Sequence, residues 1–136
     1  MSRIFEWNPM YSVKVASLDR QHEKLFRIAD ELHEALGRAQ GKTVVDSSLK
    51  KLIDYTMIHF TAEEALLRNA AYPELSAHVA EHRKLRSRIE GLREQYAKGD
   101  RDVPGRMMTF LLDWLKTHIL NEDKQYGTFL NAKGFH

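Results

Sequence analysis

Seven histidines and no cysteine stand in the 136-residue chain, and three of the histidines fall in pairs spaced four apart: His59 with Glu63, and His78 with His82. Residues four apart share one face of a helix, so each pair offers two ligand-type side chains to one place. Imidazole with carboxylate is a donor set for a transition metal such as iron. The absence of cysteine removes disulfides, thiolate nucleophiles, iron–sulfur clusters and every metal site that needs a sulfur ligand.

Such pairs act only if helices carry them, and the chain reads as helical throughout. With three prolines and seven glycines, breakers are few, and most fall at or beyond the ends of long periodic segments. The pattern predicts four helices, at 18–39, 44–70, 73–98 and 104–123. Gly37 and Gly41 bracket the first loop, and Thr43 with Asp46 resembles a capping box for the second helix. Pro73 and Pro104 fit the first turns of the third and fourth, and Gly99 sits just past the end of the third. Residues 1–16 read as an extended arm anchored by Phe5 and Trp7, and the segment 124–136 has room for one more short helical piece carrying Tyr126 and Phe129. The expectation is one domain over 1–136, an all-α, antiparallel up-down-up-down four-helix bundle with an extended N-terminal arm.

Each helix has a seam spaced alternately three and four. The seams run from Leu18 through His22 to Leu36, from Leu49 through His59 and Glu63 to Leu66, from Leu75 through His78 and His82 to Tyr96, and from Met108 to His118. A seam faces the core, where an unpaired ionisable group costs several kcal/mol or changes its protonation state. One core histidine is unremarkable, but here five are spread over all four helices. Their depth also agrees. In an up-down-up-down bundle the starts of helices one and three lie beside the finishes of two and four. His22, His59, Glu63, His78, His82 and His118 therefore converge on one end, and the opposite end is Leu, Ile, Ala and Met. Five imidazoles exceed what one metal with an open position takes, and suit two metals bridged by carboxylates. His33 and His136 fall outside the cluster.

Composition narrows the remaining classes. Apolar residues at 43% argue against disorder, and 21 basic against 19 acidic residues is too balanced for a nucleic-acid or membrane-surface footprint. The first residues are broken by Asn8, Pro9 and Lys14, and no run approaches a membrane span, so a soluble cytoplasmic protein is expected. Lys and Arg runs such as Arg83-Lys84 read as solvated faces.

The stretches Asp19-Arg-Gln-His22, His59-Phe-Thr-Ala-Glu63, Tyr72-Pro73 followed by His78-Val-Ala-Glu-His82, and Trp114-Leu-Lys-Thr-His118-Ile-Leu-Asn-Glu-Asp123 together resemble the hemerythrin family in its single-domain bacterial form. With the Trp7 arm, the resemblance covers about residues 7 to 126. It implies two non-haem iron ions per chain. His78, His82 and His118 would hold one and His22 and His59 the other, with Glu63, Asp123 and an oxo or hydroxo group bridging. Helix periodicity alone favours Glu122 over Asp123, because Asp123 lies about 140° round an ideal helix from His118. The family pattern favours Asp123. The chain departs from that pattern at Asn69-Ala70-Ala71, where a glycine is common, and at Asp30, where an asparagine is common.

Two octahedral irons offer about 12 positions. The implied ligands fill all but one, on the iron with two histidines, which suits end-on dioxygen and leaves no place for a co-substrate. The resemblance thus implies reversible oxygen binding by a carrier or reservoir, with an oxygen-consuming enzyme as recipient and no catalytic residue beyond weak peroxidase-like activity. It places Phe60, Trp114, Leu115 and Ile119 around the dioxygen position. The same centre could serve oxygen or redox sensing, peroxide or nitric oxide handling, or iron storage; the absence of a fused signalling domain favours the carrier. His78-Val-Ala-Glu-His82 also matches the H-x-x-E-H zinc-peptidase signature, which would leave His22, His59, Glu63 and His118 unexplained.

Overall fold

Among the described residues, long apolar stripes with few breakers produce five α-helices: α1 (Ala16–Gly37), α2 (Lys42–Asn69), α3 (Leu75–Ala97), α4 (Val103–His118) and α5 (Lys124–Ala132). A π-helical turn, Ile119–Asp123, joins α4 to α5 without a loop. The structure, a computed structural model, describes residues 7–37 and 42–136, the side chains of 112 and 122 excepted. Phe5 and Gly41 lie outside the described residues.

α1 packs on α2 and α4, and α3 packs on the same two, which closes the ring of a four-helix bundle. The expected seams form its interior. Leu18, Leu25, Leu32, Leu85 and Ile89 are almost wholly buried, and the ionisable seam residues lie among them. In α4 the deepest stripe is Val103, Met107, Leu111 and Leu115, so Met107 takes the buried place expected of Met108, which packs partly exposed against the core.

Several boundaries differ from the sequence expectation for identifiable reasons. Lys42 is already helical, so Thr43 cannot cap α2; Asp46 instead pairs with Lys42 and accepts from the Tyr96 hydroxyl of α3. Pro73 lies in the turn before α3, which begins only at Leu75, after the Leu75 amide has bonded to the Tyr72 carbonyl. α4 opens as expected, with Pro104 in its first turn behind Asp102, but ceases to be α-helical at His118, five residues short of the expected finish.

α2, α3 and α5 end in the same hydrogen-bonded closure. Its defining bonds run from Tyr72 N to Leu67 O (3.0 Å), from Asp100 N to Gln95 O (3.1 Å) and from Phe135 N to Leu130 O (2.9 Å). That closure needs one left-handed residue. Gly99 (φ 103°) and Gly134 (φ 93°) supply it for α3 and α5, while α2 uses Ala71 at φ 57°.

Among the described residues the N-terminal arm forms a 3₁₀ turn, Pro9–Tyr11, capped by the Asn8 side chain, which accepts from the Met10 amide at 2.9 Å. Trp7 and Tyr11 pack on Phe26 of α1 with ring centroids 5.7 and 5.2 Å away. The arm is then fixed from two sides. Asp19 accepts from Ser12 Oγ (2.6 Å) and the Val13 amide (2.8 Å), and Asn131 of α5 donates to the Lys14 carbonyl (2.9 Å). This strap passes beside the π turn at the polar end of the bundle.

Candidate metal centre

All four bundle helices deliver a histidine to one buried cluster. α1 brings His22, α2 brings His59 and Glu63, α3 brings His78 and His82, and α4 brings His118 at its last residue. Asp123 enters from the π turn and is 1% exposed; none of the seven side chains exceeds 5%. His33 and His136 stand outside it.

The two carboxylates divide their oxygens between two sets of imidazoles. Glu63 Oε1 contacts His78 Nε2 and lies 3.1 Å from His82 Nε2, while Glu63 Oε2 lies 3.0 Å from His59 Nε2 and 3.6 Å from His22 Nε2. Asp123 Oδ1 lies 3.0 Å from His118 Nε2 and 3.5 Å from His78 Nε2, while Oδ2 lies 3.3 Å from His22 Nε2. Two groups with the spacing of a metal site result, one of Glu63, His78, His82 and His118 and one of His22, His59 and Glu63.

Buried polar atoms are normally hydrogen-bonded, and exceptions mark strain or an ion. Here both oxygens of Asp123 and the Nε2 atoms of His22 and His82 are fully buried without a hydrogen bond. These donors fit a pair of cations: imidazole nitrogens fall in two groups that share Glu63, and Asp123 reaches His22 of one and His118 of the other.

The charge balance of the protein groups agrees. Burial disfavours a proton on His22, but contacts with Asp123 and Glu63 prevail and push its pKa up to about 9. At His59 burial wins and the pKa is lowered, despite Glu63 nearby. Burial opposes ionisation of Glu63, yet its electrostatic interaction with His59 and contacts with His22, His59 and His78 hold its carboxyl well below the usual range. Asp123 is also lowered; burial and the Glu63 charge oppose this, and His118 and His22 outweigh them.

Three residues to which the sequence pattern assigns no role at the centre complete the surroundings. His59 Nδ1 donates to Gln21 Oε1 at 2.6 Å, and His82 Nδ1 donates to Glu64 Oε2 at 2.7 Å. Each bond fixes a tautomer that leaves Nε2 with its lone pair toward the cluster. Tyr126 Oη donates to Glu63 Oε2 at 2.9 Å; its pKa is raised far above normal by burial, with Asp123 and Glu63 adding to it, so the phenol keeps its proton. Gln21 and Glu64 sit next to seam residues in sequence but bond across helices, so no spacing within one helix reveals them.

Aromatic rings cover the outer flank. Phe60 stacks on His82 (centroids 3.8 Å apart, 6° between planes) and Trp114 on His118 (4.2 Å, 15°), and the two aromatics meet edge to face. Leu115 and Trp114 line a small apolar cavity of about 10 Å³, with Leu25, Ala29, Leu52 and Leu111 among its other walls. Ile119 is fully buried one turn beyond Leu115. Glu81, the acid of the H-x-x-E-H match, lies 3.4 Å from Lys84 on the exposed side of α3, while His78 and His82 face Glu63, which leaves the peptidase reading without its general base.

The described residues include no helix long and apolar enough to cross a membrane. The family model of the hemerythrin HHE cation binding domain matches residues 13–130. The chain is 32% identical over 122 residues to a bacteriohemerythrin of Methylococcus capsulatus, covering 90% of this chain and 92% of that one. It is 29% identical over 126 residues to a bacteriohemerythrin of Stenotrophomonas maltophilia, covering 93% and 81%. A crystal structure of wild-type hemerythrin superposes with a TM-score of 0.85 at 32% identity, covering 93% of this chain and 98% of that chain. With the family pattern spanning the bundle and the histidine–carboxylate cluster built from its motifs, the chain belongs to the hemerythrin family.

Proposed function

We propose that this protein binds dioxygen reversibly at a non-haem di-iron centre and acts in the cytoplasm as an oxygen carrier or reservoir for oxygen-consuming enzymes. The observation that carries this reading is the division of both carboxylates between two sets of imidazoles. In this reading His78, His82 and His118 would hold one iron and His22 and His59 the other, with Glu63 and Asp123 serving both. When bound, the iron pair would supply the two-electron redox chemistry by which dioxygen is taken up and released.

The chain's own residues do the rest. Gln21 and Glu64 hold the His59 and His82 rings in the coordinating tautomer. Tyr126 keeps one proton on the Glu63 side of the centre and orients that carboxylate. Phe60, Trp114, Leu115 and Ile119 exclude water, which favours release of oxygen unchanged over irreversible oxidation. The role is binding, not turnover, so no residue is assigned as catalytic.

Anaerobic reconstitution with ferrous iron, followed by cycles of oxygen and argon, tests the proposal. Two irons per chain and a visible absorption band that appears and disappears with oxygen are expected. One metal per chain, or irreversible bleaching at the first exposure, would overturn it.

A further inference from the structure

Two of the cluster histidines are backed by unlike partners. His59 Nδ1 donates to the neutral amide oxygen of Gln21, whereas His82 Nδ1 donates to the carboxylate of Glu64. The two bonds are nearly equal in length, 2.6 and 2.7 Å, and both leave Nε2 facing Glu63. They differ in charge.

We propose that Glu64 makes the two halves of the centre unequal, so that the half built from His78, His82 and His118 binds metal more tightly and fills first, while Gln21 leaves the His22–His59 half the weaker. The inference rests on the two-metal reading above. A carboxylate behind a ligating imidazole raises the basicity of the ring more than an amide does. The Glu64 side chain is only 19% exposed, so water screens its charge incompletely. It forms no ion pair with a lysine or arginine among the described residues, and its charge is directed to His82. On the other side, Gln21 fixes the ring without adding charge. The three-histidine half already has the larger number of imidazoles, and Glu64 widens that difference.

Titration of the metal-free protein with Co²⁺ under argon, followed by absorption and calorimetry, separates the two steps. Wild type is expected to take up two ions in resolved steps, and the tighter step should vanish in His118→Ala. Glu64→Gln keeps a hydrogen-bond acceptor and removes the charge; it should weaken the tighter step about 10–100-fold and the other step less. Gln21→Glu should strengthen the weaker step by about tenfold or more, which gives a second reading if Glu64→Gln fails to fold. A tighter step within twofold of wild type in Glu64→Gln would overturn the proposal, as would an equal fall in both steps. Two ions bound with no effect of Glu64→Gln sinks the inequality alone. A single ion bound by wild type sinks the two-metal reading with it.

Discussion

Asp123 stands five residues beyond His118, yet its Oδ1 lies 3.0 Å from His118 Nε2. An ideal α-helix would carry the fifth residue about 140° away. The Ile119–Asp123 segment is instead π-helical, closed by the Lys124 amide on the Ile119 carbonyl, five residues back. One residue is thus inserted into the turn, and position i+5 takes the face that i+4 holds in an α-helix. Single π turns of this kind are frequent at functional sites. Asp123→Ala is expected to reduce metal content below two ions per chain after reconstitution, measured by elemental analysis. Unchanged content would remove Asp123 from the centre.

The same turn marks where the sequence stops being readable. The seams of His22, His59, Glu63, His78, His82 and His118 follow from period and depth alone, because each lies in a regular helix whose phase the apolar neighbours set. Asp123 does not follow from period, because the phase itself changes at Ile119, and the π turn brings the fifth residue to His118 where an ideal helix would not. The Gln21–His59 and Glu64–His82 bonds were hidden for another reason: both cross between helices, and a one-helix pattern carries no information about rotation against a neighbour. Likewise Met107 and Met108 are adjacent and chemically identical, so packing alone decides which is buried.

Ala71, the last residue of the Asn69-Ala70-Ala71 stretch, is a non-glycine residue held at a φ of 57°. It occupies the left-handed position of the α2 closure that Gly99 and Gly134 fill in α3 and α5. A left-handed non-glycine residue costs about 1–2 kcal/mol, against which glycine loses about 0.5–1 kcal/mol more backbone entropy on folding. Ala71→Gly should therefore stabilise the fold by about 0.5–1 kcal/mol, seen as a higher urea midpoint at unchanged slope. Gly99→Ala should do the reverse. Equal midpoints in all three proteins would contradict the strain assigned to Ala71.

Gly127 closes the strap. A Cβ there would overlap the Val13 carbonyl oxygen, which belongs to backbone and cannot swing aside. Gly127→Ala should destabilise by about 1–3 kcal/mol, the usual cost of overpacking. It should also expose the bond after Lys14 to limited trypsin digestion, since the arm must lift from α5. Wild-type melting and cleavage patterns would show that the arm is not seated as described.

Leu115 lines the small cavity together with Trp114, which stacks on His118. Leu115→Ala enlarges that space beside the centre and admits water. The iron-loaded variant is expected to lose its reversible absorption change faster in air than wild type. An unchanged rate of loss would remove Leu115 from the water-excluding wall.

His22 ties pH to both folding and metal uptake. Its pKa is about 9 in the fold, against an ordinary 6.5, because Asp123 and Glu63 outweigh the cost of burial. A raised pKa contributes stability that is fully present below 6.5 and lost as pH rises through about 9. The chelated protein should therefore melt at progressively lower temperature across that window, while Glu63 and Asp123, both held below the usual carboxylate range, are already ionised and contribute no slope. The same proton must leave before His22 can coordinate, so metal binding releases it, and affinity should rise up to about tenfold per pH unit until His22 is neutral. His59 adds nothing in this range, its pKa being lowered by burial. Calorimetry of Zn²⁺ binding at pH 7.5 in buffers of different ionisation enthalpy should detect about one proton released per chain. A flat melting temperature in the chelated protein, or binding without proton release, would contradict the protonation assigned to His22.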